Sequence, residues 1–121
     1  MRTVLLIEDN DDIRENTSEL LELEGYHVLP ATNGQTGLQF AREHLPDVVL
    51  CDIMMPVADG YEVFKQLKAE QATSAIPFIF LTANAENKDM ETGMRLGANG
   101  YIRKPFSAEE LLETLARCLG E

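Results

Sequence analysis

Basic side chains are scarce in this sequence. Ten Lys and Arg stand against 21 Asp and Glu in 121 residues, a formal net charge of −11 with both histidines neutral. A phosphate backbone is bound through clustered Lys and Arg, and no basic run here exceeds the pair Arg103-Lys104, so no direct nucleic-acid partner is expected. Cysteine is confined to Cys51 and Cys118, far apart and without CxxC spacing. That suggests neither a zinc site nor a disulfide framework, and makes the reducing cytoplasm the expected location. Long hydrophobic runs are also missing. The segment Thr3–Ile7 reaches Glu8-Asp9 within five residues, too short for a signal h-region or a membrane span, so no membrane partner is expected. Aromatic residues make up only 7%, yet hydrophobic residues reach 45%, the composition of a folded globular chain rather than an acidic disordered tail. No linker, repeat or low-complexity tract interrupts it, and the length suits one domain of roughly 100–150 residues. Residues 1–121 are expected to form a single domain.

What the chain does contain is alternation. Short β-branched runs, Thr3–Ile7, His27–Ala31, Asp47–Cys51, Phe78–Leu81 and Gly100–Arg103, take turns with longer amphipathic segments. This is the mark of βαβ units around a parallel sheet. Three of the runs are almost wholly apolar, as strands covered on both faces must be. Pro30 cannot donate to a ladder and assigns its strand to an edge. Helical stripes are formed by Ile13, Thr17, Leu20 and Leu21, by Val63, Phe64 and Leu67, and by Leu111, Leu115 and Leu119. Asp59 and Ser107 each precede a Glu by three residues, a capping-box spacing, Asn33 is placed to cap the second helix, and Gly25, Gly97 and Gly120 stand where helices should stop. Asp11 and Asp12 suit the positive N-terminus of the first helix.

In an open parallel α/β sheet, ligands bind beyond the carboxyl ends of the strands. At those ends stand Glu8-Asp9, Asp52, Thr82 and Lys104-Pro105. Carboxylates packed this closely repel one another unless a cation intervenes. Mg²⁺ suits them, because it takes one or two protein carboxylates, keeps several waters and completes its shell with phosphate oxygens. Lys104 adds a second positive point and Thr82 a hydroxyl donor, both suited to a phosphoryl group. A carboxylate can itself accept a phosphoryl group, and Asp52, ending a central strand, is the best-held nucleophile.

Four segments carry a resemblance: Glu8-Asp9, Asp52-Ile53-Met54-Met55-Pro56-Val57-Ala58-Asp59-Gly60, Leu81-Thr82-Ala83, and Tyr101-Ile102-Arg103-Lys104-Pro105-Phe106. In this order the chain resembles the receiver domain of two-component response regulators from about Thr3 to Leu119. The resemblance implies a flavodoxin-like, doubly wound α/β fold with five parallel strands in the order 2-1-3-4-5 and five helices. It implies that Asp52 accepts a phosphoryl group from a histidine kinase or a histidine phosphotransfer protein. By the same likeness Asp9, Asp52 and the main-chain carbonyl of Met54 hold Mg²⁺, with Glu8 reaching it through water. Lys104 then pairs with a phosphoryl oxygen through a cis Lys104-Pro105 peptide, while Thr82 and Tyr101 act as the switch. The surface that changes would be helix four, strand five and helix five, roughly Glu86–Leu119, read by a downstream effector and allowing a phosphorylation-dependent homodimer. Such a protein is not an enzyme beyond assisting its own phosphorylation and dephosphorylation.

Other readings fit less well. A flavodoxin needs a hydroxyl- and glycine-rich phosphate loop where this chain has Glu8-Asp9-Asn10-Asp11-Asp12. A haloacid-dehalogenase-type phosphatase needs a second Asp where Met54 stands, and an EF-hand starting at Asp9 meets Ile13 at its fifth position. A pseudo-receiver, folded alike but working as a phosphorylation-independent interaction module, is the main alternative, and the acidic set with Thr82 and Lys104 argues against it. Asn99-Gly100 reads as a loop rather than a hairpin, and Cys51 as an inert strand residue. Met90 and Met94 belong to helix packing or to a partner surface.

Overall fold

The computed structural model describes residues 2–55, 59–82 and 97–121. Its elements are β1 (Thr3–Ile7), α1 (Asp11–Leu23), β2 (His27–Ala31), α2 (Gly34–His44), β3 (Val48–Asp52), α3 (Gly60–Ala69), β4 (Phe78–Thr82), β5 (Gly100–Arg103) and a C-terminal helix (Ala108–Leu119). The fourth of the five expected helices, with Glu86, Met90 and Met94, lies outside the described residues, as do Pro56–Ala58. All strand pairs are parallel, in the order β2-β1-β3-β4-β5.

Side chains alternate across a strand with a period of two, and this divides the core into two layers. Leu5, Ile7, Val49, Cys51, Phe78 and Phe80 pack beneath Leu38 and Ala41 of α2 and Val63, Phe64 and Leu67 of α3. Val4, Leu6, Val48, Leu50, Ile79, Leu81 and Ile102 pack against Leu21 of α1 and Leu111 and Leu115 of the C-terminal helix. The central strands are therefore buried on both faces, which is why their sequences show no polar alternation.

Each described helix begins on a side-chain cap. Asn10, Asn33, Asp59 and Ser107 accept hydrogen bonds from the N–H groups of Ile13 (3.0 Å), Thr36 (2.8 Å), Glu62 (2.9 Å) and Glu110 (3.0 Å). Asn33→Ala is expected to lower the unfolding free energy by ~1 kcal/mol, measured by urea titration, because it leaves an N-terminal N–H without its acceptor. Gly25, Gly97 and Gly120 all have positive φ, the stop geometry that L side chains resist. Pro30 lies on the edge strand β2. The N–H of His27 and the carbonyl of Ala31 bond toward the β1 side, to Arg2 O and Glu8 N, so strand alternation turns the Pro30 nitrogen outward, where no ladder bond is lost.

Three strand boundaries differ from the sequence expectation. Asp47 does not start β3; its Oδ2 accepts a 2.7 Å bond from the N–H of Thr3 at the start of β1. Asp52 and Thr82 are the final residues of β3 and β4 rather than the residues after them. The Asn99-Gly100 segment leads into β5, which runs parallel to β4, so the loop reading holds over the hairpin.

Candidate functional site at the strand ends

Strand register assembles the site. Ile7 pairs with Cys51, so Glu8 and Asp52 come next, side by side. Thr82 pairs with Arg103, and the N–H of Lys104 donates to the Thr82 carbonyl at 2.6 Å. Four strands separated widely in sequence thereby bring Glu8, Asp9, Asp52, Thr82 and Lys104 to one rim.

Glu8 is wholly buried, and a buried carboxylate is tolerated only when paired and hydrogen-bonded. Its Oε1 is ion-paired with Nζ of Lys104, and its Oε2 accepts from the N–H of Asn10 at 3.4 Å. Asp52 is 5% exposed, with Oδ1 3.5 Å from the same ammonium. One lysine thus serves two buried carboxylates. Burial first, then a hydrogen bond shared with Glu8 and the charge of Glu8, push the Asp52 carboxyl up to about 7, with Lys104 opposing and Asp9 adding to the rise. Asp9 is exposed, and ligand oxygens of Glu8, Asp9 and Asp52 lie within 4.8 Å of one another. With all three carboxylates ionised, they and the one ammonium carry two negative charges, the balance a divalent cation with oxygen preference would neutralise.

The remaining residues frame this cluster. Thr82 is fully buried at the end of β4, and Lys104 precedes Pro105 through a cis peptide. Tyr101 is half-buried on β5, its ring centroid 6.3 Å from that of Phe80. Met54 lies on the loop after β3 with its side chain 67% exposed. Cys51 is buried, and burial followed by the charge of Asp52 pushes its thiol well up, which keeps it protonated and inert as expected.

Three features escaped the sequence. Lys104 and Glu8 pair directly, whereas the resemblance placed Glu8 toward the metal and Lys104 toward phosphate. Arg14 donates to the Glu8 carbonyl at 3.0 Å and to Asp11 at 2.6 Å, tying α1 to the rim; a single Arg in an acidic helix gives no such signal in sequence. Gly60 starts α3 against the backbone of the rim: a Cβ there would lie 2.5 Å from the Asp52 carbonyl oxygen and 2.9 Å from Ile53 Cα.

A profile of the response regulator receiver domain matches residues 4–116. Protein PilH of Pseudomonas aeruginosa is 39% identical over 115 residues, covering 95% of each chain. The chemotaxis protein CheY4 of Vibrio cholerae superposes with a TM-score of 0.93 at 34% identity, covering 98% of this chain and 99% of that one. The receiver domain of the sensor histidine kinase PA1611 of Pseudomonas aeruginosa PAO1 superposes with a TM-score of 0.91 at 33% identity, covering 99% of this chain and 98% of that one. It was solved with a magnesium ion coordinated in its active site cleft. Several other curated relatives are longer, and the chain spans 41–52% of their length. A doubly wound sheet with an aspartate-centred acidic rim defines a class of signalling module, and the chain belongs to the response regulator receiver domain family.

Proposed function

We propose that this chain is a phosphoacceptor of a two-component phosphorelay, with Asp52 as the accepting residue. The observation that carries the reading is the pairing of a nearly buried Asp52 with Glu8 and Lys104, with Asp9 within ligand distance at the open side of the rim. In the proposed step an Asp52 carboxylate oxygen attacks phosphorus of a phosphohistidine on a histidine kinase or histidine phosphotransfer protein. The P–N bond breaks, the imidazole leaves with the bonding pair and takes up a proton, and an acyl phosphate remains. Lys104 exchanges part of its contact with Glu8 for a phosphoryl oxygen, and Thr82 donates its hydroxyl to another. Bound Mg²⁺, held by Asp9, Asp52 and the Met54 carbonyl with Glu8 behind them, would supply charge neutralisation and keep Asp52 ionised. The donor chemistry of the rim fits that role, being oxygen-only and carrying two uncompensated negative charges once Asp52 is ionised.

The chain then works as a switch rather than an enzyme, assisting its own phosphorylation and dephosphorylation. Movement of Thr82 toward the phosphoryl group and of Tyr101 inward would bias the face of β5 and the C-terminal helix, together with the expected fourth helix, between two conformations. A downstream effector or a second copy reads that face. Among the described residues no helix is long and apolar enough to cross a membrane, which suits a cytoplasmic site of action. The test is intact-protein mass spectrometry after incubation with acetyl phosphate and with a phosphohistidine donor. One added phosphoryl group that requires Mg²⁺ is expected. No addition from either donor to the folded protein would leave a phosphorylation-independent interaction module.

Met54, two residues beyond Asp52, is an exposed thioether that cannot orient attacking water. A carboxylate there could, so Met54→Glu is expected to shorten the phosphoryl lifetime several-fold. Loss of the label at the wild-type rate would remove Met54 from the account.

A further inference from the structure

The charge on α1 is arranged in a way that folding alone opposes. Five of its 13 residues are acidic, and its one basic residue, Arg14, is engaged by Asp11 and the Glu8 carbonyl. Asp11 and Asp12 favour the positive N-terminal end of the helix dipole. Glu19, Glu22 and the C-cap Glu24 sit toward the negative end, where the last turn holds no basic residue, and there acidic charge is unfavourable. Among these carboxylates stands Leu23, 78% exposed and the most exposed large apolar side chain among the described residues. Leu23 of α1 and Pro30 of the edge strand line a groove of about 570 Å³ whose walls carry Glu15, Glu19 and Glu22, with Arg14 and Ser18 completing the lining. Leu23, Pro30, Glu15, Glu19 and Glu22 take no part in the strand-end site, and Arg14 reaches only its backbone, at the Glu8 carbonyl.

We propose that this groove docks a cationic amphipathic segment of a partner protein, which sets an apolar side chain on Leu23 and Pro30 and places Lys or Arg against Glu15, Glu19 and Glu22. An apolar floor flanked by three carboxylates is a recognition surface. Arg14, the one cation in the lining, is already engaged by Asp11 and the Glu8 carbonyl, and the partner brings the cations that face Glu15, Glu19 and Glu22. The same carboxylates repel nucleic acid and anionic lipid. A second copy docking through this face would set acidic wall against acidic wall, because a two-fold interface joins like surfaces.

The probe is a helical peptide of Lys and Leu at amphipathic spacing, titrated into the ¹⁵N-labelled chain. A Lys-rich peptide of equal charge without Leu serves as the control. Amide shifts are expected to concentrate on residues 19–25 and on the N–H groups of residues 28, 29 and 31 around Pro30, with affinity falling as salt rises. Leu23→Ser combined with Glu19→Lys and Glu22→Lys should weaken binding by about tenfold or more, and the Leu-free peptide should bind about tenfold more weakly to wild type. Glu109→Lys with Glu113→Lys, on the C-terminal helix, should change it by less than about twofold. Absence of binding, equal binding to both variants, or shifts spread over every acidic helix would overturn the proposal. Self-association in analytical ultracentrifugation that Leu23→Ser abolishes would give the groove to a second copy and overturn it equally.

Discussion

Asp52→Asn is expected to abolish phosphoryl uptake and, in metal-free protein at neutral pH, to raise the thermal unfolding midpoint. The first effect follows from loss of the nucleophilic carboxylate, since an amide forms no acyl phosphate under these conditions. The second follows from proton linkage. The Asp52 carboxyl sits at about 7 in the folded chain and near ~3.9 when unfolded. Between those values the folded state binds more protons, so stability falls as pH rises. The contribution of this group is fully present below ~4 and is lost by the time pH passes ~7. A shift of that size corresponds to at most ~4 kcal/mol; the shared lysine and solvent at the rim reduce the expected gain to ~1–3 kcal/mol, with roughly 3–6 °C in Tm for each kcal/mol. Calorimetry in chelator from pH 5 to 8 should show the variant's advantage widening with pH and shrinking when Mg²⁺ is added. A variant no more stable than wild type at pH 8 without metal would show that the ionised Asp52 costs the fold nothing.

Gly60→Ala should be the most damaging small substitution near the site. The new Cβ would stand 2.5 Å from the Asp52 carbonyl oxygen and 2.9 Å from Ile53 Cα, both backbone atoms that cannot rotate away. Gly60 N–H also donates to the Ile53 carbonyl at 3.0 Å, so the clash falls on a segment already fixed. Alanine restores ~1 kcal/mol of helix propensity, yet overpacking against the backbone is expected to leave a net loss of ~3 kcal/mol or more in urea unfolding. Phosphoryl uptake should fall too, because Asp52 must shift. Gly25→Ala is the comparison. Its φ of +93° makes it strained, but its Cβ would meet nothing within 4 Å, and a loss of only ~1–2 kcal/mol is expected. Equal losses at the two positions would mean that the α3 start can slide away from β3.

Much of this was legible in the chain because the determinants are local. Val48-Val49-Leu50-Cys51 and Phe78-Ile79-Phe80-Leu81 announce strands covered on both sides, and Pro30 announces an edge, which the sheet order agrees with. The caps Asp59 and Ser107 were readable from capping-box spacing and Asn33 from its place before Gly34, and all three accept an N–H of their helix's first turn. The chain also indicates which residues reach the rim, since strand ends and βα loops follow from the element pattern. Strand ends themselves are set by neighbours. Ile53 N–H donates to Leu81 O, and Lys104 N–H to Thr82 O, so the ladder runs one residue past the last apolar side chain. Asp47 is drawn to the N–H of Thr3, a partner 44 positions away. The Glu8–Lys104 pair spans 96 positions, and no periodicity encodes it. Gly60 looks like an ordinary helix-start glycine until the Asp52 carbonyl is placed beside it.

The outward-facing nitrogen of Pro30 has a consequence for how this chain behaves in a crowded solution. An edge strand offers free donors and acceptors that can template a neighbour's strand, the first step toward sheet polymerisation and aggregation. On β2 the outward set includes Pro30, which has no hydrogen to give, so a strand added from another molecule would miss a rung in the middle of the ladder. With a net charge of −11 adding mutual repulsion, Pro30→Val would remove the interruption and should make the protein more prone to amyloid-like self-association at high salt, where that repulsion is screened.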